Sequence, residues 1–142
     1  MLNMFLEELN PRQKSSFLAL ATRVILADGD VAPEEDVILN RLKKSLGSGI
    51  VAPPEEVFGV TNTAVFPSRR SRRITFLELL VLAYADEKVH PDESTVLTEI
   101  SGALEIEEKA IDNLSGWAHR YVSSAADEHD TLKAEAESLI DG

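Results

Sequence analysis

A ten-residue pattern occurs twice in this chain, and the duplication restricts the fold more than any other feature. Leu26-Ala27-Asp28-Gly29-Asp30-Val31-Ala32-Pro33-Glu34-Glu35 returns as Tyr84-Ala85-Asp86-Glu87-Lys88-Val89-His90-Pro91-Asp92-Glu93, 58 residues further on. Ala, Asp, Val, Pro and Glu recur in register. Each copy follows an apolar run and leads into another, so the chain reads as a duplicated helix–acidic loop–helix unit. Four carboxylates thereby occupy equivalent places: Asp28 with Glu35, and Asp86 with Glu93.

The flanking patterns are helical throughout. Asn10-Pro11 has the form of an N-cap followed by proline at the first helical position, and Phe17, Leu20, Ala21, Val24 and Ile25 recur at helical spacing behind it. Pro33 opens the next stripe, Ile38, Leu42 and Leu46, which Gly47 and Gly49 break. An irregular centre follows over 47–68, with one short helix expected near Glu55-Glu56-Val57-Phe58. The second unit begins near Ser68. Phe76, Leu77 and the run Leu79 to Ala83 are apolar nearly all round, which predicts a helix buried at the centre of a bundle. Pro91 opens its partner, with Val96, Leu97, Ile100 and Leu104 inward. A last helix carries Ala110, Ile111, Leu114, Trp117, Ala118, Tyr121 and Val122. No run alternates with the period of a strand. The expected fold is all-α: a single-domain bundle of about six or seven helices, with repeat one over about 11–47, repeat two over about 69–104, a C-terminal helix over about 107–122 and an acidic tail over 123–142. For the tail the pattern allows a helical extension or a mobile segment.

Charge and composition narrow the partners. The net charge is −11, and the stretch 103–142 carries ten acids against three bases. That balance disfavours nucleic acid and anionic membrane and suits basic proteins or cations. The chain has no cysteine, hence no disulfide and no thiolate metal site. Met1 to Glu8 has no basic flank and only a short apolar run, so neither a signal peptide nor membrane insertion is expected, and a cytoplasmic protein is.

The paired acids admit two readings. Asp28 and Asp86 continue the inward faces of the helices before them, and Glu35 and Glu93 lie in line with the stripes after them. In the first reading the acids cap helices. Each Asp accepts hydrogen bonds from free N–H groups at the next helix start, and each Glu takes the third place of a capping box. In the second they are ligands. Asp28, Glu35, Asp86 and Glu93, with Asp30 beside them, form oxygen-rich loops suited to a divalent cation such as calcium or magnesium. An EF-hand is excluded: counted from Asp28, the sixth position is Pro33 and the twelfth Leu39, and the second loop fails likewise at Pro91 and Leu97.

On these residues, Ala27-Asp28-Gly29-Asp30-Val31-Ala32-Pro33-Glu34-Glu35 and its echo Ala85-Asp86-Glu87-Lys88-Val89-His90-Pro91-Asp92-Glu93, the chain resembles the TerB family of tellurite-resistance proteins and the TerB-like domain of the co-chaperone DjlA. The resemblance spans roughly residues 10–122. It implies an all-α fold of two related halves and a cytoplasmic role tied to tellurite or other stress. It also implies metal binding at acids that correspond here to Asp28, Glu35, Asp86 and Glu93. Glu87 stands where the family commonly has glycine, and Lys88 replaces the second loop's equivalent of Asp30.

Arg69, Arg70, Arg72 and Arg73 form a basic cluster just before the central helix. It reads either as a contact for an oxyanion, a phosphate or an acidic protein partner, or as a solvated helix start. Arginine at a helix N-terminus opposes the macrodipole. His129-Asp130 matches the dipeptide of metal phosphohydrolases but has no accompanying ligands in sequence, and no nucleophile motif is present. Trp117 and Tyr121, one turn apart on the apolar stripe, read as core. The chain is therefore expected to be a non-catalytic TerB-like module that binds a divalent cation or a protein partner through its acidic loops. The alternative is a pure protein–protein interaction or scaffold domain in which those carboxylates only cap helices.

Overall fold

The computed structural model describes residues 5–25, 33–47, 49–57, 63–85 and 91–141, without the side chains of 33–36, 38, 63, 85, 91–94 and 126. These residues form seven α-helices and no strand: α1 Pro11–Ile25, α2 Pro33–Leu46, α3 Pro54–Val57, α4 Arg69–Ala85, α5 Pro91–Ala103, α6 Glu108–Ser123 and α7 His129–Asp141. The helix starts carry the sequence repeat: α1 and α4 begin 58 residues apart, and so do α2 and α5. Pro33 and Pro91 each occupy the first helical position, where a missing N–H costs nothing.

Local chemistry accounts for the starts. Asn10 Oδ1 accepts from the Gln13 N–H at 2.8 Å, and Gln13 Oε1 accepts from the Asn10 N–H at 3.0 Å. That is a reciprocal capping box, satisfying free donors at both places. The Gln13 amide also donates to the Val65 carbonyl at 3.0 Å, tying the central stretch to α1. Ser68 Oγ accepts from the Ser71 N–H at 3.0 Å and caps α4. After α2 the chain turns through Gly47 and Gly49, whose φ angles of +110° and +86° suit glycine.

The core is organised around α4. From Ile74 to Ala83 no residue is more than 4 % exposed. A helix apolar on every side must be covered on every side, and α1, α5, α6, α7 and the short turn Leu6–Glu8 all pack against it. Phe17, Leu20, Ala21, Val24 and Ile25 of α1 are buried, as the periodicity predicts, and so are Leu114, Trp117, Ala118 and Tyr121 of α6. Phe5, Leu6 and Leu9 are buried too, so the N-terminal segment is part of the core. The stretch after Ser123 forms α7, which buries Leu132, Ala136 and Ile140 at four-residue spacing. Trp117 Nε1 donates to the Leu132 carbonyl at 2.7 Å, and Tyr121 stacks between Trp117 and His129, with ring centroids 5.0 and 4.7 Å apart. Glu56 pins α3 to α1: its carboxylate accepts from Ser16 Oγ at 2.8 Å and from the Arg12 guanidinium at 2.9 Å.

The C-terminus of α5 closes with a left-handed residue. The Ile106 N–H donates to the Ser101 carbonyl at 3.0 Å and the Glu105 N–H to that of Gly102 at 3.2 Å, with Glu105 at φ +57°. This is a Schellman motif, a place where glycine avoids the Cβ clash. The Glu105 side chain is exposed, and its ion pair to Arg72 at 3.5 Å is a surface contact. Glu105→Gly is expected to stabilise the fold by about 1 kcal/mol, measured by urea denaturation, whereas Glu105→Val destabilises it.

Candidate functional site

The acidic elbows lie at the joints α1–α2 and α4–α5. Glu35 and Glu93 are each the third residue of their helix, the place a capping-box glutamate holds. Asp28, Asp30 and Asp86 lie outside the described residues, as do the side chains of Glu35 and Glu93. Among the described residues no three His, Asp or Glu side chains gather as a cation site.

The arginine cluster is described in full, and its members do different things. Arg70 is a clamp: its guanidinium donates to both carboxylate oxygens of Glu8 at 2.8 Å and pairs with Asp141. It joins the N-terminal turn and the end of α7 to α4. Arg72 Nε donates to the Phe66 carbonyl at 2.8 Å. Arg73 is 6 % exposed and donates to the Leu139 carbonyl at 2.7 Å. Burial, and next the neighbouring Arg69, hold its pKa below the ordinary guanidinium value, with Glu107 opposing them. Only Arg69 of the four is exposed, so the cluster is not a uniformly solvated helix start.

Arg69 and Arg73 face a common pocket of about 440 Å³ where α4, α6 and α7 meet. Glu107, Lys109 and Asn113 line it from the start of α6, and Ser138 from α7. Its apolar part is Ala110, Leu114 and Leu139. Among the described residues Arg69, Arg73 and Lys109 form no ion pair. The sequence shows Arg69 and Arg73 but not Lys109, which is 36 positions from Arg73 and reaches them only through the α4–α6 packing. A smaller pocket of about 200 Å³ lies between α4, α5 and α6, beside Tyr84, Leu97 and Ile111.

Glu78 is a chemically distinctive side chain that the apolar periodicity passes over. It is the one acid inside the apolar run of α4 and is 2 % exposed. One carboxyl oxygen accepts from the Phe5 N–H at 3.1 Å, and the other has no partner among the described residues. Burial pushes its pKa up to about 8, against the Phe5 hydrogen bond, which favours the charged form. Tyr121 is also shifted upward, by burial first and by Glu78 second. His129 Nδ1 is buried without a hydrogen-bond partner among the described residues.

With this geometry the chain is a helical bundle with an arginine-lined pocket where α4, α6 and α7 meet. No protein-family model matches the chain, and no curated protein or solved structure matches it either. No helix among the described residues is long and apolar enough to cross a membrane.

The raised Glu78 pKa has a thermodynamic consequence. Between the ordinary carboxyl value of 4.5 and about 8 the unfolded chain has lost this proton while the folded chain keeps it. Stability therefore falls as pH rises through that window, by at most about 1.4 kcal/mol per pH unit from this group, and levels off above it. Glu78→Gln, close in shape to the protonated acid, is expected to remove this part of the slope in urea denaturation measured across the window.

Proposed function

We propose that this chain is a non-catalytic, TerB-like binding module of the cytoplasm, associated with tellurite or related stress. Its acidic elbows take a divalent cation, with Asp28 and Glu35 as ligands in the first half, aided by Asp30, and Asp86 and Glu93 in the second. Calcium and magnesium fit a donor set made only of oxygen. The supporting observation is the register of the helices. Both elbows join helices that start at the same 58-residue offset, and Glu35 and Glu93 stand at the same place in the helices that follow. A ligand pair shared by both elbows needs that equivalence.

One observation favours the second reading, an interaction or scaffold domain in which the acids only cap. At the start of α1 the third residue, Gln13, bonds back to the Asn10 N–H. Glutamate at the third place of α2 and α5 is equipped to do the same.

Thermal unfolding in calcium, magnesium or manganese against chelator separates the readings. A specific site stabilises by mass action, about 2.7 kcal/mol at roughly a hundredfold excess over Kd, which is a Tm rise of several degrees. Asp28→Asn with Glu35→Gln is expected to abolish the first elbow's share, and Asp86→Asn with Glu93→Gln the second's. An unchanged Tm with all three metals rejects the cation reading in favour of capping.

A further inference from the structure

We propose that the pocket between α4, α6 and α7 binds a dianionic phosphate group, held by Arg69, Arg73 and Lys109. It shares no residue with the acidic elbows and stands or falls independently of them.

Arg73 is a buried charge without an ion pair among the described residues, and Glu107 favours it only from beyond ion-pair distance. Arg73 is 6 % exposed, and among the described residues its one hydrogen bond goes to a neutral acceptor, the Leu139 carbonyl. A guanidinium does not escape burial by losing its proton, because its pKa is too high. A buried cation without a counterion is costly, and the usual remedy is an anion at hydrogen-bonding distance. Arg73 opens instead onto a pocket.

Three cations converge on this pocket. Arg69 sits one turn before Arg73 on the same helix, and like charges at that spacing repel. Lys109 adds a third cation from the second position of α6. Arg69 and Arg73 line the pocket near the α4 N-terminus, and Lys109 near that of α6, where helix dipoles favour negative charge. Asn113 and Ser138 supply neutral donors to the same space. Among the described residues Glu107 is the sole carboxylate lining it; it lies beyond ion-pair distance of all three cations, and three cations against one acid leave the lining net positive. A tetrahedral dianion carries twice the charge of a carboxylate and more acceptor oxygens, arranged in three dimensions, which suits cations arriving from two helices.

The size of the pocket also fits. A volume of about 440 Å³ exceeds what a phosphate ion fills and falls within the range of small-molecule sites. Leu114 and Leu139 offer an apolar wall beside the cations. The shared chemistry is a dianionic phosphate, free or carried on a small organic body.

An NMR chemical-shift titration of the full chain tests this, run at constant ionic strength and above the second ionisation of phosphate, ~6. The probes are inorganic phosphate, phenyl phosphate and benzoate. The expected result is saturable shifts at the amides of 69–73, 107–113 and 138–139 with phosphate or phenyl phosphate. Tighter binding of the ester assigns the site to an esterified phosphate, and equal binding to the free ion. Arg69 and Lys109 are exposed, so Arg69→Gln with Lys109→Gln leaves the fold intact. That pair is expected to weaken binding by about tenfold or more. Glu107→Gln removes the competing carboxylate and is expected to tighten binding. Absence of saturable shifts overturns the proposal, as does benzoate binding as tightly as phosphate, or an undiminished affinity in the Arg69/Lys109 double variant.

Discussion

A helix with no polar face cannot lie at a surface, and most of this architecture follows from where α4 must go. From Ile74 to Ala83 it is enclosed. Two helices from the repeat do not enclose a third, so α6 and α7 are recruited, and the segment around Phe5 and Leu6 covers what remains. Both ends of the described chain are thereby drawn to one helix. Arg70 fixes that convergence by pairing with Glu8 from the N-terminal turn and Asp141 from the end of α7. The pair geometry is bidentate at Glu8, the arrangement in which a partly exposed arginine contributes most.

Burying α4 also buries two ionisable groups five positions apart, and their chemistry separates their fates. Glu78 can answer desolvation by keeping its proton, so it sits deep in the core against the Phe5 N–H. Arg73 has no neutral form within reach of ordinary pH. It is placed where the core meets the pocket, donating to the Leu139 carbonyl and lining the pocket. The same helix thus carries a carboxyl that tolerates dryness and a guanidinium that requires a neighbour. That difference directs attention to the pocket and away from the core acid.

The fold was legible where burial is periodic. The α1 and α6 stripes, the all-round apolar α4, the proline starts of α2 and α5, the glycine stop after α2 and the short helix at Pro54–Val57 all have a local signature. What was not legible depends on distant partners. Phe5 and Leu6 look like a ragged terminus until α4 presents a surface to cover. Residues 129–141 bury Leu132, Ala136 and Ile140 as a narrow stripe with Leu139 beside it, which makes a helix when Trp117 and Tyr121 lie beneath it. The site was legible in part. The arginine run is visible as a run, but sequence cannot assign Arg70 to clamping and Arg73 to a pocket. Lys109 joins them only through tertiary packing. Glu78 had a signal, a lone acid in an apolar run, that periodicity alone discounts.

The two halves show which features the repeat shares and which one half added. At the 58-residue offset Asn10 corresponds to Ser68, and both cap their helix. Arg12 corresponds to Arg70, and both use the second helical position to grip a segment outside the repeat, Glu56 in one half and Glu8 with Asp141 in the other. Capping and clamping therefore belong to the common unit. Arg69 and Arg73 do not, because their counterparts are Pro11 and Ser15. Neither has a role in closing the helix start, which Ser68 and Ser71 accomplish without them. In a chain of net charge −11, two adjacent-turn arginines that add nothing to the shared scaffold have to be explained by something local. Screening supports the same view: beyond about 8–10 Å the surrounding acids are attenuated, and the field inside the pocket is set by the three cations and the single carboxylate, Glu107, that line it.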